Sequence, residues 1–494
     1  MPTKKKEDKK IKPVKAVKKP TVVKAKPVKV VKSVKVAKFV KRPNKPEVKK
    51  EVGVDEERNS SPWKPLRGMR DILPKQEKYW QTLYDNAKAM ATYFHFGRIE
   101  TPILEEAKLF LRTLGKNTDI VSKEMYVFEQ QEESGKICLR PEATASVMRA
   151  YIANGLWNQS QPVKMWYWGP MFRHDRPQAG RYRQFYQVGY EIIGANDPIM
   201  DAELILVAYN FYKDLGLPVT IQINSIGLPE ERERYANELV SYYRTKRSYL
   251  CESCRQRLIK NPLRLLDCKE DQCQPIKDGA PQILDWLTES SKSYFMKVLE
   301  YLDDLEVPYV LQPNLVRGLD YYTHTVFEVF PALENDDDKN LQQLSQIALG
   351  GGGRYDLLGK EMAGRETPAS GMALGVDRSI MVLKEYAKNH EIKISEPKMD
   401  IFFAQLGERA KGQALKLINN LKQSGLKIGF NLYKNSLKTQ LESANAMAVP
   451  YALILGQKEM QDGTIIIRDM ESGIQEIVDQ KKIEVLIKKK LSSL

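Results

Sequence analysis

The stretch Trp168–Glu191, WGPMFRHDRPQAGRYRQFYQVGYE, decides how the rest of the chain is read. An apolar run through Trp166–Phe172 predicts one strand, a polar loop with Pro177 and Gly180 follows, and a second strand starts at Arg183. Side chains on a strand alternate between its two faces. One face of the second strand therefore carries Arg183, Phe185, Gln187, Gly189 and Glu191, and the other carries Gln184, Tyr186, Val188, Tyr190 and Ile192. The second set suits a core. The first is a polar row with one aromatic, which a sheet buries only if something polar sits on it. The loop adds Arg173, His174, Arg176, Arg181 and Arg183, five cationic or potentially cationic groups within eleven residues. That density suits polyphosphate or nucleic acid, although a solvated basic hairpin would have the same composition.

Around this hairpin the chain has 494 residues, enough for about three or four domains. A hydrophobic content of 42% fits a globular protein, and no apolar run approaches the roughly 20 residues of a membrane span. The net charge of +15 is unevenly placed. Residues 1–50 hold 20 Lys/Arg against 3 Asp/Glu; of the totals of 78 and 63, that leaves 58 basic and 60 acidic residues for the remainder. The basicity belongs to the tail. Its short Lys/Val/Pro/Ala units repel one another and its prolines remove backbone donors, so residues 1–60 are expected to be disordered. Counterion release allows non-specific RNA binding there; a merely solvating extension is the alternative. Lys dominates and a secretory apolar segment is absent, so a cytoplasmic location is expected.

Further motifs follow in order. Arg67–Pro74 leads into a helix whose Trp80, Leu83, Tyr84, Ala87, Met90, Ala91 and Phe94 form one apolar stripe. Phe96–Glu106, FGRIETPILEE, holds a short strand before Pro102. In LRPEATA (139–145), Glu142 and Thr144 suit capture of an ammonium group, and a helix N-terminus would look similar. Residues 317–328, RGLDYYTHTVFE, precede the glycine run of GGGRYD (351–356), which suggests a site floor with close backbone approach. That run lacks the Lys-Ser/Thr of a P-loop and does not fit a dinucleotide fingerprint. In GMALGVDR (371–378) a glycine-spaced strand lets a flat ring approach, and Arg378 can stack on it. Cys251, Cys254, Cys268 and Cys273 are spaced as a tetrahedral zinc site could use them, with reduced, unliganded thiols as the alternative. After a polar linker, MDIFFAQL, KIGFNLY, YALILG and TIIIRDM read as strands, with a helix over 410–423, and predict an α/β unit with a mainly parallel sheet. His95, His174, His324 and His390 form no triad and no HExxH pattern, so a hydrolase or metalloprotease has no support.

Taken together, these blocks resemble the class II aminoacyl-tRNA synthetases, specifically the histidyl-tRNA synthetases, over about residues 64–490. Trp168–Glu191 is similar to motif 2, Phe96–Glu106 to motif 1 and Gly371–Arg378 to motif 3, while RGLDYYTHTVFE and GGGRYD resemble the two histidine signatures. The resemblance implies an α+β fold with an antiparallel sheet flanked by helices, an insertion domain and a C-terminal α/β anticodon-binding domain. It divides the chain into the tail (1–60), a catalytic core in two parts (61–225 and 306–390), the insertion (226–305) and the anticodon-binding domain (398–494). It implies a homodimer that uses ATP, Mg2+, L-histidine and tRNA-His. By resemblance, Arg173 and Arg317 flank the α-phosphate, and Phe185 and Arg378 sandwich adenine. Glu142, Thr144 and Gln187 hold the amino group, Glu191 and Tyr322 read the imidazole, and Tyr321 and Tyr355 lie nearby. Two rival readings are a catalytically silent regulatory paralogue of histidine biosynthesis and an RNA-binding scaffold identified by its tail. Retention of Arg173, Arg317, Arg378 and a full C-terminal domain argues against the first, and the polar strand face against the second.

Overall fold

The computed structural model describes residues 63–494 except 116, 117, 119, 130–134, 177–179, 335, 393, 395–397 and 494. The expected disorder of 1–60 and the turn at Pro177 thus lie outside the described residues. Sixteen strands follow in chain order: β1 Gly97–Arg98, β2 Leu104–Glu106, β3 Val127–Glu129, β4 Lys136–Leu139, β5 Val163–Phe172, β6 Gln184–Ile193, β7 Val219–Ser225, β8 Tyr309–Leu311, β9 Thr323–Pro331, β10 Gly350–Arg354, β11 Ala369–Gly375, β12 Ile401–Gln405, β13 Ile428–Phe430, β14 Tyr451–Leu455, β15 Thr464–Asp469 and β16 Gln475–Asp479. Eight of them make the large sheet, in the order β1-β5-β6-β11-β10-β9-β7-β8. Its six inner strands are antiparallel and both edge strands pair in parallel, so the sheet is mixed rather than purely antiparallel.

Both faces of this sheet are covered. On one face Val188, Tyr190 and Ile192 of β6 join Phe327 and Val329 of β9 and Met372 and Leu374 of β11 in a core under four helices. The helix Glu77–Tyr93 contributes Trp80, Leu83, Ala87, Met90 and Ala91, the expected stripe. The helix Pro198–Asp214 starts where Asp197 accepts from the N–H of Ile199 at 3.0 Å and Pro198 supplies the preset first turn. The helices Glu289–Asp304, which the sequence groups with the insertion, and Val376–Tyr386 pack in the same core. Burying each such aliphatic side chain is worth roughly 1.5–3 kcal/mol. The opposite face carries a second core, shared with the helix Thr144–Ala153 and the insertion, and the polar row of β6 lies on it.

The C-terminal sheet has the order β13-β12-β14-β15-β16. Its first three strands are parallel, but β15 and β16 pair antiparallel, which corrects the expectation of a mainly parallel sheet. The link from β14 to β15 holds only the short helix Gln457–Asp462, too short for a parallel crossover. Among the described residues no helix is long and apolar enough to cross a membrane.

One buried ion cluster ties these layers together. Arg354, at the end of β10 and fully buried, pairs with Asp201 at 3.0 Å and Asp356 at 2.8 Å. Arg354→Met strands Asp201 without its cation and should cost about 3–5 kcal/mol in urea unfolding. Adding Asp201→Asn should recover part of that loss; an additive double variant would mean that the pair is not coupled.

Candidate active site

Glu191 stands near the end of β6 with none of its surface exposed. Thr144 Oγ1 donates to its Oε1 at 2.8 Å, and the Tyr355 hydroxyl donates to its Oε2. Burial pushes its carboxyl up to about 8, against the two hydrogen bonds and in the same direction as nearby Glu142. Across the ladder Gly371 pairs with Glu191, and a Cβ there would fall 1.6 Å from Oε2. The sequence reading assigns the glycines of 371–375 to the approach of a flat ring; at Gly371 the Glu191 carboxyl takes that space.

The same strand face continues outward. Gly189 pairs with Tyr167 of β5, whose ring covers it: a Cβ at Gly189 would lie 2.1 Å from Tyr167 Cζ. Sequence reasoning missed Tyr167, although a glycine interrupting the polar row was the available signal. Gln187 keeps a buried Oε1 with no hydrogen-bond partner among the described residues. Such an acceptor is costly unless a ligand donor meets it. Glu142 has a different environment. Its two oxygens accept from the backbone N–H groups of Thr144 at 2.6 Å and Ala145 at 3.0 Å, so it caps the helix Thr144–Ala153. The capping alternative therefore describes Glu142's contacts, and lone pairs remain for an ammonium group.

The RGLDYY segment lies on the loop before β9 rather than within it. Tyr321 packs on Tyr322 at 4.7 Å and edge-on against Tyr355 at 5.7 Å, forming an aromatic wall beside Glu191. Asp320 is exposed and accepts from Asn261 Nδ2 at 3.5 Å. The glycines of β10 allow the expected close approach: a Cβ at Gly351 would lie 2.9 Å from Arg317 Nη1, and at Gly353, 3.1 Å from Tyr322 Cδ1.

Arg317 and Arg173 border the wall, and Arg378 lies near Arg173. Arg173 Nε donates to the Pro141 carbonyl at 2.8 Å, and its guanidinium lies over the Phe185 ring at 5.4 Å. Arg317 pairs with Glu328 and lies over the Tyr322 ring at 5.7 Å. Arg378 Nη1 donates to the Ala348 carbonyl at 2.8 Å. Burial lowers the pKa of Arg173 and Arg378, against Glu124 and Glu142 beside the first and Glu328 and Asp175 beside the second, while Arg317 acts with burial on Arg173, as Arg181 and Arg173 do on Arg378. Converging cations held mainly by neutral carbonyls are suited to a polyanion. Asp377, which the sequence did not single out, anchors this rim by accepting from Arg70 at 2.5 Å and from the Tyr186 N–H at 2.7 Å. Elsewhere, the sulfurs of Cys251, Cys254, Cys268 and Cys273 lie within 4.8 Å of one another.

The raised Glu191 pKa has a signed consequence. Between the ordinary carboxyl value near ~4.3 and about 8, the folded chain keeps a proton that the unfolded chain has released. Stability therefore falls as pH rises through that window. Glu191→Gln removes the titration, so its melting temperature should fall less between about pH 5 and pH 8 than that of the parent. Equal slopes for the two proteins would show that Glu191 is ionised throughout.

Comparison with known proteins covers most of the chain. A histidyl-tRNA synthetase family model matches residues 68–234 and 276–378, and an anticodon binding domain model matches residues 400–490. The histidine–tRNA ligase of Natranaerobius thermophilus is 41% identical over 425 residues, covering 85% of this chain and 98% of that protein. That of Bacillus cytotoxicus is 42% identical over 414 residues, covering 83% and 95%. The crystal structure of apo histidyl-tRNA synthetase from S. aureus aligns with a TM-score of 0.69 at 33% identity, over 86% of this chain and 100% of that one. Similarity that runs nearly end to end in these relatives, through the sheet and the C-terminal unit alike, makes this chain a member of the histidyl-tRNA synthetase family.

Proposed function

We propose that the chain is a histidine–tRNA ligase, an ATP-dependent enzyme that activates histidine as its adenylate and transfers it to the 3′ end of tRNA-His. The observation that carries the residue assignments is the setting of Glu191: a buried carboxyl reached by Thr144 from one sequence block and Tyr355 from another, beside a cationic rim. In the first step the histidine carboxylate attacks the α-phosphate of ATP and pyrophosphate leaves. Two anions must meet, so the protein's work is positioning and charge stabilisation. Arg173 and Arg317 would flank the α-phosphate, and Arg378 with Phe185 would hold the adenine. Magnesium would arrive with the triphosphate of its substrate, which supplies most of its oxygen ligands. In the second step the terminal ribose hydroxyl of the tRNA attacks the mixed anhydride, displacing AMP.

Histidine selection follows from satisfied polar groups. A carboxyl oxygen of Glu191 accepts an imidazole N–H, and Tyr322 serves the other nitrogen. Gln187 Oε1, buried without a partner among the described residues, accepts from the substrate's amino group together with Glu142 and Thr144. Tyr321 and Tyr355 complete the wall. A side chain that leaves these groups unpaired is rejected. The proposal also includes a homodimer joined through the Phe96–Glu106 block, where Ile103 and Leu104 are exposed, and tRNA contact through residues 398–494. The location is cytoplasmic, and the Lys-rich tail adds non-specific RNA affinity.

ATP–pyrophosphate exchange without tRNA, run against all twenty amino acids, should respond to histidine alone. No exchange from a folded dimer would instead favour the silent regulatory type. Within the active enzyme, Arg173→Ala should lower kcat by roughly 10²–10³, the scale of one lost transition-state donor. A change below tenfold would remove Arg173 from the reacting centre.

A further inference from the structure

The thiol cluster lies outside the reaction described above, and its geometry is specific. The four sulfurs are mutually within 4.8 Å, and Cys251 and Cys268 Sγ are 3.9 Å apart. Four thiolates about 2.3 Å from a tetrahedral zinc ion stand roughly 3.8 Å from one another, whereas disulfides join sulfurs two by two at about 2.05 Å. Two backbone groups already donate to these sulfurs: Cys254 N–H to Cys251 Sγ at 3.4 Å and Cys251 N–H to Cys273 Sγ at 3.3 Å. Such donors orient thiolates and stabilise their charge. Cys254, Cys268 and Cys273 are buried and Cys251 is half-buried, a closed arrangement that suits a structural ion.

The segment between the two cysteine pairs leads directly to the histidine loop. From Cys254 the chain runs along the helix Glu252–Lys260 to Asn261, whose Nδ2 donates to Asp320 at 3.5 Å. A Cβ at Gly318 would lie 3.3 Å from Arg264 Nη1, so this side chain lies against the loop. Arg232 donates to the Tyr322 carbonyl from the neighbouring helix Pro229–Arg244. Cys254, Leu265, Leu266, Cys268 and Cys273 share one apolar core with Leu315, Tyr321 and Tyr322. The cluster and the aromatic wall are thus two ends of one packed body.

We propose that Cys251, Cys254, Cys268 and Cys273 bind a single zinc ion that braces residues 254–268 and thereby holds Arg317, Tyr321 and Tyr322 in position for histidine. The bracing rests on the reading of that loop as part of the histidine site; the metal assignment does not. Asn261 and Arg264 are positioning residues, since they touch the loop and not the substrate.

The full-length protein should contain about one zinc per chain by elemental analysis, and cobalt substitution should give the absorption of a tetrahedral tetrathiolate. Cys254→Ser should lose the metal. Chelation should raise KM for histidine by roughly tenfold or more, with kcat changed much less, and added zinc should restore it. Asn261→Ala should keep the zinc yet raise the same KM, which separates bracing from folding. Absence of bound metal, iron in place of zinc, or full zinc retention in Cys254→Ser would overturn the site. Zinc removal without any change in histidine KM would overturn the bracing. Failure of the zinc-loaded enzyme to exchange with histidine at all would count against the proposed reaction instead.

Discussion

A carboxyl group with no exposure on a central strand is the constraint around which this molecule is arranged. Glu191 cannot be left unpartnered there without a penalty of several kcal/mol. Its partners come from 47 residues upstream and 164 residues downstream. Strand order, the opening of the helix Thr144–Ala153 and the turn after β10 must therefore be correct together. Gly371 belongs to the same constraint, since any side chain at that ladder position would displace the carboxyl. The binding pocket and the sheet are one packing problem.

Arginine has two opposite roles in this fold. Arg354 is fully buried and satisfied by Asp201 and Asp356, so its charge is used up inside the protein. Arg173 and Arg378 donate to carbonyl oxygens and lie near one another, with Glu124 and Glu142 acting on the first and Glu328 and Asp175 on the second. Arg317 is intermediate, with Glu328 as its partner. Sequence motifs do not display this difference.

The sequence was most legible where a period of two or of about four repeats. Alternation along β6 separated Val188, Tyr190 and Ile192 from Gln187, Gly189 and Glu191, and the two sets lie on opposite cores. The stripe from Trp80 to Ala91 lies where its spacing places it. Legibility failed where two segments distant in the chain meet. Gly189 marks a covered position without naming Tyr167 as its cover, and nothing local marks Asp377 as the anchor of Arg70 and β6. Nor does the pattern of β15 reveal its direction, which the shortness of the preceding link decides.

The sequence by itself determined the helix Glu77–Tyr93, the two-faced character of β6 and the location of the basic charge. These follow from side-chain periodicity and chemistry, which are local properties. Only the tertiary structure decided that Glu142 caps a helix, that Gly371 makes room for a carboxyl, that Asp320 meets Asn261, and that Cys254, Cys268 and Cys273 share a core with Tyr322. Each of these depends on which distant backbone comes within a few ångströms. That proximity is set by the simultaneous packing of both sheet faces, not by any single stretch of chain.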